Sequence, residues 1–166
     1  MKHKSSGILL CLVALFALAL FVTPGVAATG PPPNDIVTLR ADLVFVGDIG
    51  EATSFTRIHR DGKTTLHFSV PSKKVLVITD VEWVVSAGDE KNVQFSLIFK
   101  SNQVYAAAMN LQNPPGPDGL LHGIYRDRLN IGIAMNNISS NNFSAQAIAS
   151  PLTTVTVFLR GYLTGN

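Results

Sequence analysis

The segment that most constrains the fold is residues 66–85, with the sequence LHFSVPSKKVLVITDVEWVV. It contains the densest run of β-branched residues in the chain and its single tryptophan, Trp83. β-Branched side chains lose rotamer freedom in a helix and pack well on a pleated sheet. The segment therefore predicts two strands joined by a turn at residues 70–74, with a long second strand over residues 75–86.

The long predicted strand is apolar on both faces over part of its length. One face is an apolar stripe that is interrupted at Thr79 and consists of Val75, Val77, Val81, Trp83 and Val85. The other face is apolar, then acidic, then apolar again, and consists of Leu76, Ile78, Asp80, Glu82 and Val84. We therefore expect this strand to lie in the middle of a sheet, or another subunit to cover Leu76, Ile78 and Val84.

Further strands are predicted wherever apolar and polar residues alternate with a period of two. These segments are residues 36–46, 53–60, 63–70, 93–100, 104–111, 120–135 and 152–163. No long stretch after residue 28 combines helical periodicity with good helix formers. The pattern predicts an all-β fold, an antiparallel two-sheet sandwich of jelly-roll type. An immunoglobulin-like sandwich is the alternative, although the chain lacks the Cys–Trp–Cys pattern of that fold.

An Asp-Gly pair at residues 61–62 predicts a two-residue hairpin turn, because both central residues of such a turn need positive φ. The resulting register pairs Arg57 with Leu66 and directs His59 and His67 to opposite faces. These two histidines therefore cannot share a metal ion through the hairpin. The apolar face of the hairpin would consist of Phe55, Leu66, Phe68 and Val70.

The N-terminus has the features of a cleaved secretory signal. Lys2 and Lys4 give a basic start, an apolar run follows over residues 8–22, and residues 26–28 are the small residues that a signal peptidase requires. The apolar run is shorter than the roughly 20 residues of a stable membrane anchor. The predicted organisation is a signal peptide, a stiff Pro-rich extended leader and a single β-sandwich domain, over residues 1–28, 29–35 and 36–166.

Charge and cysteine content exclude several classes of function. The chain has 13 Lys and Arg against 11 Asp and Glu, and loss of Lys2 and Lys4 with the signal leaves equal numbers. A net charge near zero gives no long-range attraction to nucleic acid or anionic lipid, so the membrane is a partner only during export. The single cysteine, Cys11, lies in the signal, so the mature domain has no disulfide and no thiolate ligand or nucleophile.

Two segments of the sequence match motifs of known proteins. The first is V-P-x-x-K-x-L-V-I-x-D-V over residues 70–81, and the second is L-x-G-Y-L over residues 159–163. The matching residues are Val70, Pro71, Lys74, Leu76, Val77, Ile78, Asp80, Val81, Leu159, Gly161, Tyr162 and Leu163. With these motifs the chain resembles small exported bacterial β-sandwich proteins of unassigned function, and the resemblance implies a β-sandwich fold and no known activity.

No catalytic motif stands out in the sequence. Asp80 and Glu82 share a predicted face two positions apart, and they are the candidate acid–base pair of a hydrolase or lyase. The chain has no G-x-S-x-G motif on a strand–turn–helix and no phosphate-binding glycine loop that opens a helix. A metal site would have to combine His59 or His122 with Asp118 or Asp127 through the tertiary fold, so neither a metal nor a cofactor is predicted.

Candidate binding residues lie on the last strand and in one loop. Phe158, Arg160 and Tyr162 alternate along the strand, and an aromatic–arginine–aromatic row can stack on sugar rings or planar groups. The alternative is that this row packs against a neighbouring strand or under a loop. Asn141, Asn142 and Phe143 are further candidates, because the loops of a sandwich cluster at its ends and carry recognition.

The predicted function is that of an exported, non-enzymatic binding or structural module of the cell envelope or extracellular space, secreted or periplasmic. Carbohydrate or another envelope protein is the predicted partner, and nucleic acid is not. The first alternative is a hydrolase or lyase on a sandwich scaffold that uses Asp80 and Glu82. The second alternative is a self-assembling surface protein, a homo-oligomer in which a neighbouring copy covers the apolar residues of the long strand.

Overall fold

The computed structural model describes residues 35–87, 92–111, 114–139, 141–150 and 153–165. The predicted signal peptide, and all of the predicted leader except Asp35, lie outside these residues. In the described part of the chain, no helix is long and apolar enough to cross a membrane. The strands within it are β1 Ile36–Asp42, β2 Val44–Val46, β3 Ile49–Ala52, β4 Thr56–Ile58, β5 Thr64–Thr65, β6 Lys74–Ala87, β7 Asn92–Phe99, β8 Asn102–Asn110, β9 Leu121–Asn136, β10 Phe143–Ile148 and β11 Thr154–Gly165.

The strands form two antiparallel sheets. Sheet A has the order β5-β4-β1-β11-β6-β9, and sheet B has the order β2-β3-β10-β7-β8. The pairing is nested along the chain, since β1 pairs with β11, β3 with β10, β6 with β9 and β7 with β8. A long hairpin rolled up in this manner is the topology of a jelly roll. The prediction of an all-β, antiparallel two-sheet sandwich of jelly-roll type is therefore confirmed, and the immunoglobulin-like alternative is not formed.

The inward residues of the two sheets make a continuous apolar core. Trp83 of β6 stacks on Phe95 of β7, with 4.6 Å between the ring centroids, so the two sheets meet at this contact. Successive residues of a strand point to opposite sides, which leaves each sheet with an outward face as well. The largest fully buried side chains are Trp83, Phe143, Leu39, Leu76, Ile78, Leu97, Met135 and Leu159.

A β-bulge at Thr79 changes which residues of β6 face the core. The pairing of β6 with β9 and β11 shifts between Ile78 and Asp80, so Thr79 opposes no partner. Before the bulge, Leu76 and Ile78 are each 1% exposed. After it, the buried apolar positions are the odd ones, Val81, Trp83, Val85 and Ala87. One extra residue therefore explains the apolar pattern. The expectation that another subunit covers Leu76 and Ile78 is wrong, because the domain's own core covers them.

The hairpin at residues 59–63 forms with a longer loop than the Asp-Gly pair predicts. The backbone N–H of His59 donates to the carbonyl oxygen of Lys63 at 2.8 Å, and that of Gly62 donates to His59 at 3.0 Å. Gly62 alone of the pair has positive φ, at 82°. This geometry is a three-residue loop, a turn followed by a glycine bulge, rather than the two-residue turn.

The extra loop residue moves the register of the hairpin by one position. Arg57 pairs with Thr65 rather than with Leu66. Leu66 is consequently 67% exposed, so the prediction that it faces the core is wrong. The other apolar residues of the hairpin are buried as predicted, namely Phe55, Phe68 and Val70.

Candidate functional site

The outward side of sheet A carries charged and aromatic residues over its central strands. β11 lies between β1 and β6, so its outward side chains occupy the middle of the face. In-register pairing places two parallel rows across β1, β11, β6 and β9. We call these eight residues the Phe158 face: Arg40, Phe158, Glu82 and Arg126 in one row, and Thr38, Arg160, Asp80 and Arg128 in the next.

Glu82 joins three strands of the Phe158 face. Its carboxylate lies 3.0 Å from Nε of Arg126 on β9 and 3.1 Å from Nη2 of Arg160 on β11. The side chain of Glu82 is 11% exposed, whereas those of Arg126 and Arg160 are 69% and 51% exposed. A guanidinium group has five N–H donors, so each arginine covers the carboxylate and still presents donors to solvent.

Phe158 is half-buried at the centre of the face. The guanidinium carbon of Arg40 lies 6.0 Å from the Phe158 ring centroid, within the range of a cation–π contact. Arg40 is held by Asp42 at 3.0 Å, and Asp42 also accepts a hydrogen bond from Oγ1 of Thr156 at 2.6 Å. Partial burial raises the pKa of Asp42, but the hydrogen bonds from Thr156 and Arg40 outweigh it and hold this pKa below its usual value. The ionised carboxylate therefore keeps the arginine over the ring.

The structure places Phe158, Arg160 and Tyr162 on one side of β11. Tyr162 is half-buried and pairs with Ile36 of β1 and Val77 of β6. Gly161 lies between the outward residues Arg160 and Tyr162, at the point where β11 pairs with the bulged segment of β6. A Cβ on Gly161 would overlap the carbonyl oxygen of Val77. The strands can approach this closely only because the residue is glycine. The role of the row in binding stays a prediction.

Asp80 and Glu82 lie on the same side of β6, but each carboxylate has its own partners. Asp80 accepts a hydrogen bond from Oγ1 of Thr79 at 2.6 Å, while Glu82 binds the two arginines. Among the described residues, neither carboxylate contacts a histidine. Carboxylates held by separate partners do not make an acid–base pair, so this arrangement gives no support to a hydrolase or lyase that uses them.

The loop residues predicted to bind a ligand have mainly structural roles. Phe143 is 2% exposed and stacks on Phe55 with 4.8 Å between ring centroids, so the prediction that it contacts a ligand is wrong. Asn142 fixes the loop, since its Oδ1 accepts from the backbone of Ser139 at 2.9 Å and its Nδ2 donates to the carbonyl of Asn137 at 2.7 Å. An Asn of this kind mimics a backbone turn. Asn141 is exposed at the end of a groove over sheet B.

Open grooves also lie over the outward side of sheet B. One of about 350 Å³ runs over β7, β8 and β10, and one of about 220 Å³ ends at the loop of Asn141. The first contains no charged residue, and the carboxylate of the second, Glu51, already accepts from Gln146 at 3.2 Å. A small-molecule site needs several polar groups that converge on the ligand. The Phe158 face carries more charged side chains than either groove.

Each histidine in the described chain contacts a hydroxyl group. The three pairs, each with 2.8 Å between nitrogen and oxygen, are His59 with Thr65, His67 with Ser54, and His122 with Ser86. His122 differs from the others because its Nε2 also lies 2.9 Å from a carboxylate oxygen of Asp118. Within the described residues, no cluster of three or more His, Cys, Asp or Glu side chains could hold a metal ion.

Several residues of these sites are not identified by sequence reasoning. Arg40 and Arg126 come to lie beside Phe158 and Glu82 only through the register of the sheet. The sequence signal that points to them is a charged residue at an outward position in each of three separate predicted strands. The sequence names His122 and Asp118 together only as conceivable metal ligands, and their contact with Ser86 has no motif, because the three residues come from two strands and a turn.

The comparisons with known proteins give no family. No protein-family model matches the sequence, and no curated protein matches it significantly. The chain is similar to the crystal structure of a carbohydrate-binding module specific for non-crystalline cellulose, with a TM-score of 0.29 and 14% identity over 67% of this chain and 79% of that chain. It is also similar to the cryo-EM structure of Broad Bean Stain Virus, with a TM-score of 0.27 and 17% identity over 81% of this chain and 79% of that chain. At this level of similarity, neither structure assigns a function to this chain.

Proposed function

We propose that this chain is an exported binding module that holds carbohydrate on the Phe158 face. The observation that carries the proposal is the position of Phe158, an aromatic ring at the centre of the outward side of sheet A. The guanidinium group of Arg40 lies over this ring at 6.0 Å from its centroid, and Arg160 and Arg126 flank the carboxylate of Glu82, which follows Phe158 across the sheet. Export follows from the signal predicted at residues 1–28.

Sugar recognition uses this combination of groups. A pyranose ring has a face of C–H groups and a rim of hydroxyl groups. The C–H face packs on an aromatic ring, whose face carries partial negative charge. On binding, the hydroxyl groups lose hydrogen bonds to water and gain hydrogen bonds to charged side chains. Hydrogen bonds with a charged partner are stronger than those between neutral groups. On the Phe158 face, the arginines supply donors and Asp80 supplies an acceptor.

The shape of the site favours an extended ligand. The two rows of the Phe158 face cross four strands, and neighbouring strands lie about 4.8 Å apart. Such a surface is open along its length, whereas a site for one small molecule encloses most of its ligand. We therefore infer that the ligand is a segment of a polysaccharide that runs across β1, β11, β6 and β9.

Affinity electrophoresis of the mature chain in gels that contain soluble polysaccharides, together with a glycan array, tests the proposal. We expect binding by the wild type, and its loss in Phe158→Ala and Arg160→Ala. Ile148→Ala is the matched control, because Ile148 is 52% exposed and lies on sheet B. Equal binding by Phe158→Ala and Ile148→Ala, or no binding to any glycan, would overturn the assignment.

A second candidate function, self-assembly, is favoured by an apolar patch on the outward side of sheet B. Val46 of β2 pairs with Ile49 of β3, which pairs with Ile148 of β10, and Val44 lies two residues before Val46. β2 is an edge strand of its sheet. An unpaired edge beside an exposed apolar patch is a template for another strand. The four residues are 73%, 83%, 54% and 52% exposed, in the order Val44, Val46, Ile49 and Ile148.

A second copy of the chain is the partner that this edge accommodates. Antiparallel pairing of β2 with β2 of another copy is self-complementary, as a two-fold interface requires. We expect static light scattering to give the mass of a dimer for the mature chain and of a monomer for Val46→Lys. A monomer in both cases at high concentration would exclude assembly through β2.

A further inference from the structure

Ser86, His122 and Asp118 form a linear hydrogen-bonded array at one end of the outward side of sheet A. Ser86 of β6 and His122 of β9 are paired in register. Oγ of Ser86 lies 2.8 Å from Nδ1 of His122, and Nε2 of His122 lies 2.9 Å and 3.0 Å from the two carboxylate oxygens of Asp118. Asp118 belongs to the turn that precedes β9.

The carboxylate determines which nitrogen of the ring carries the proton. An ionised carboxylate only accepts hydrogen bonds, so Nε2 of His122 is the donor to Asp118. The hydrogen bond from His122, together with one from the backbone of Leu120, holds the pKa of Asp118 below its usual value. In the neutral imidazole the other nitrogen, Nδ1, then carries no hydrogen, and its lone pair accepts a hydrogen bond from the hydroxyl group of Ser86.

This assignment gives each residue the role that it has in a serine–histidine–aspartate triad. The hydroxyl faces a basic nitrogen, and the carboxylate fixes the tautomer and the orientation of the ring. The two ring nitrogens are exchanged relative to the usual arrangement, in which the carboxylate binds Nδ1. Triads recur on unrelated folds and are recognised by geometry rather than by residue order, which explains the absence of a motif.

The chain contains its own reference for this contact. Ser54 and His67 have the same distance of 2.8 Å between Oγ and Nδ1. In the described part of the chain, His67 has no carboxylate on its second nitrogen, so nothing fixes its tautomer. The Ser54–His67 pair therefore separates the effect of a serine–histidine contact from the effect of the aspartate.

Two members of the array are about half exposed, Ser86 is half-buried, and an apolar surface adjoins them. The side chains of His122 and Asp118 are 48% and 50% exposed. In the next row toward the middle of the sheet, Val84 pairs with Ile124, which is 57% exposed. These two residues are the apolar side chains nearest to Ser86 along the outward side of β6 and β9.

We propose that Ser86 is an activated nucleophile that accepts acyl groups from esters with a short apolar acyl chain. Oγ of Ser86 bonds to the carbonyl carbon while its proton passes to Nδ1 of His122. The ester C–O bond then breaks, and the alcohol leaves with the proton from Nδ1. Water attacks the acyl-serine, gives a proton to Nδ1 and releases the carboxylic acid, and Ser86 recovers its proton.

Two probes of the mature chain test this assignment: labelling by an alkyl fluorophosphonate and hydrolysis of p-nitrophenyl butyrate. In labelling, Oγ bonds to phosphorus, the P–F bond breaks, and fluoride and the serine proton leave. We expect mass spectrometry to find one phosphonylated residue, Ser86. Both rates should fall by about 100-fold or more in Ser86→Ala and His122→Ala, which is the usual contribution of a positioned base.

Asp118→Asn and Ser54→Ala complete the test. Asp118→Asn should lower both rates by about tenfold or more, since an amide does not hold the productive tautomer. Ser54→Ala should label and hydrolyse as the wild type does. Circular dichroism melts confirm that the variants are folded. Labelling of Ser54 at the rate of Ser86, unchanged rates in Asp118→Asn, or no labelling of the folded wild type would each overturn the proposal.

Discussion

Trp83 and Phe95 stack across the sandwich, with 4.6 Å between their ring centroids and 15° between their planes. Trp83 is 0% exposed and Phe95 is 2% exposed. Nε1 of Trp83 is buried without a hydrogen-bond partner among the described residues. An unsatisfied buried donor costs about 1–3 kcal/mol. The tryptophan therefore stabilises the fold through the area and shape of its ring, despite its polar atom.

This relationship predicts unequal effects of two substitutions in the same contact. Phe95→Ala leaves a cavity against the indole and should lower the free energy of unfolding by about 3–5 kcal/mol. Trp83→Phe also removes volume, but it eliminates the unpaired N–H, so it should cost about 2 kcal/mol or less. Urea unfolding followed by circular dichroism measures the free energy of unfolding of both variants. Tryptophan fluorescence is unsuitable, because Trp83→Phe removes the only tryptophan. A larger loss for Trp83→Phe than for Phe95→Ala would contradict this account.

Gly161 of β11 lies opposite the bulge of β6, and a side chain at this position would disturb the pairing of the two strands. A Cβ there would overlap the carbonyl oxygen of Val77, and the backbone of a paired strand cannot rotate away. Gly161→Ala should therefore cost about 1–3 kcal/mol of stability, the range of overpacking. Gly165 is a matched control in the same strand, because a Cβ there meets nothing within 4 Å. Gly165→Ala should leave the urea midpoint unchanged or raise it.

The fold was predictable because burial in a sandwich imposes a period of two on the sequence. The same signal also contained the bulge of β6. Its apolar residues change from even positions at Leu76 and Ile78 to odd positions at Val81 and Trp83, with Thr79 between them. A strand that is covered on both faces would give the same pattern of apolar residues, so the local sequence does not distinguish a bulge from a second covered face. The loop at residues 59–63 is a similar case, since Asp-Gly fits both a two-residue turn and a turn with a glycine bulge.

The candidate sites were less predictable because they depend on which strands become neighbours. Phe158 and Arg160 could be placed on one face from their spacing alone. Their contacts with Arg40 and Glu82 follow from the nested pairing of a jelly roll, which joins residues far apart in the chain. The prediction for Phe143 failed for a local reason. The residues before it are rich in Asn and Ser, which indicates a loop, but Phe143 is the first residue of the buried strand β10.

The lowered pKa of Asp42 predicts acid-sensitive stability. A carboxyl whose folded pKa lies below its value of 3.8 in the unfolded chain contributes stability that is fully present above that value and is lost as the pH falls through the folded pKa. Asp42→Asn should therefore show a smaller decrease in urea midpoint than the wild type between about pH 6 and pH 3, a range that spans the usual Asp pKa. Thr156→Val removes one hydrogen bond that lowers the pKa and should reproduce part of this effect. An equal decrease in wild type and Asp42→Asn would refute the assignment.

The carboxylate shared by Arg126 and Arg160 predicts non-additive energetics. Each arginine is more than half exposed, so losing either one leaves Glu82 with a partner and should cost less than about 1 kcal/mol. Losing both leaves a nearly buried carboxylate uncompensated, which is a much larger penalty. The double variant Arg126→Ala/Arg160→Ala should therefore exceed the sum of the single variants by about 0.5–3 kcal/mol in urea unfolding.

Arg128 is the control for this cycle. It is an exposed outward arginine on the same strand as Arg126, and it makes no ion pair with any described residue. Arg128→Ala should be nearly neutral, and its effect should add to that of Arg160→Ala, because Glu82 still has Arg126 in that double variant. Strict additivity in both cycles would mean that the carboxylate is already stabilised by solvent. Non-additivity confined to the Arg126/Arg160 pair would locate the coupling in Glu82, the residue that holds both of these guanidinium groups.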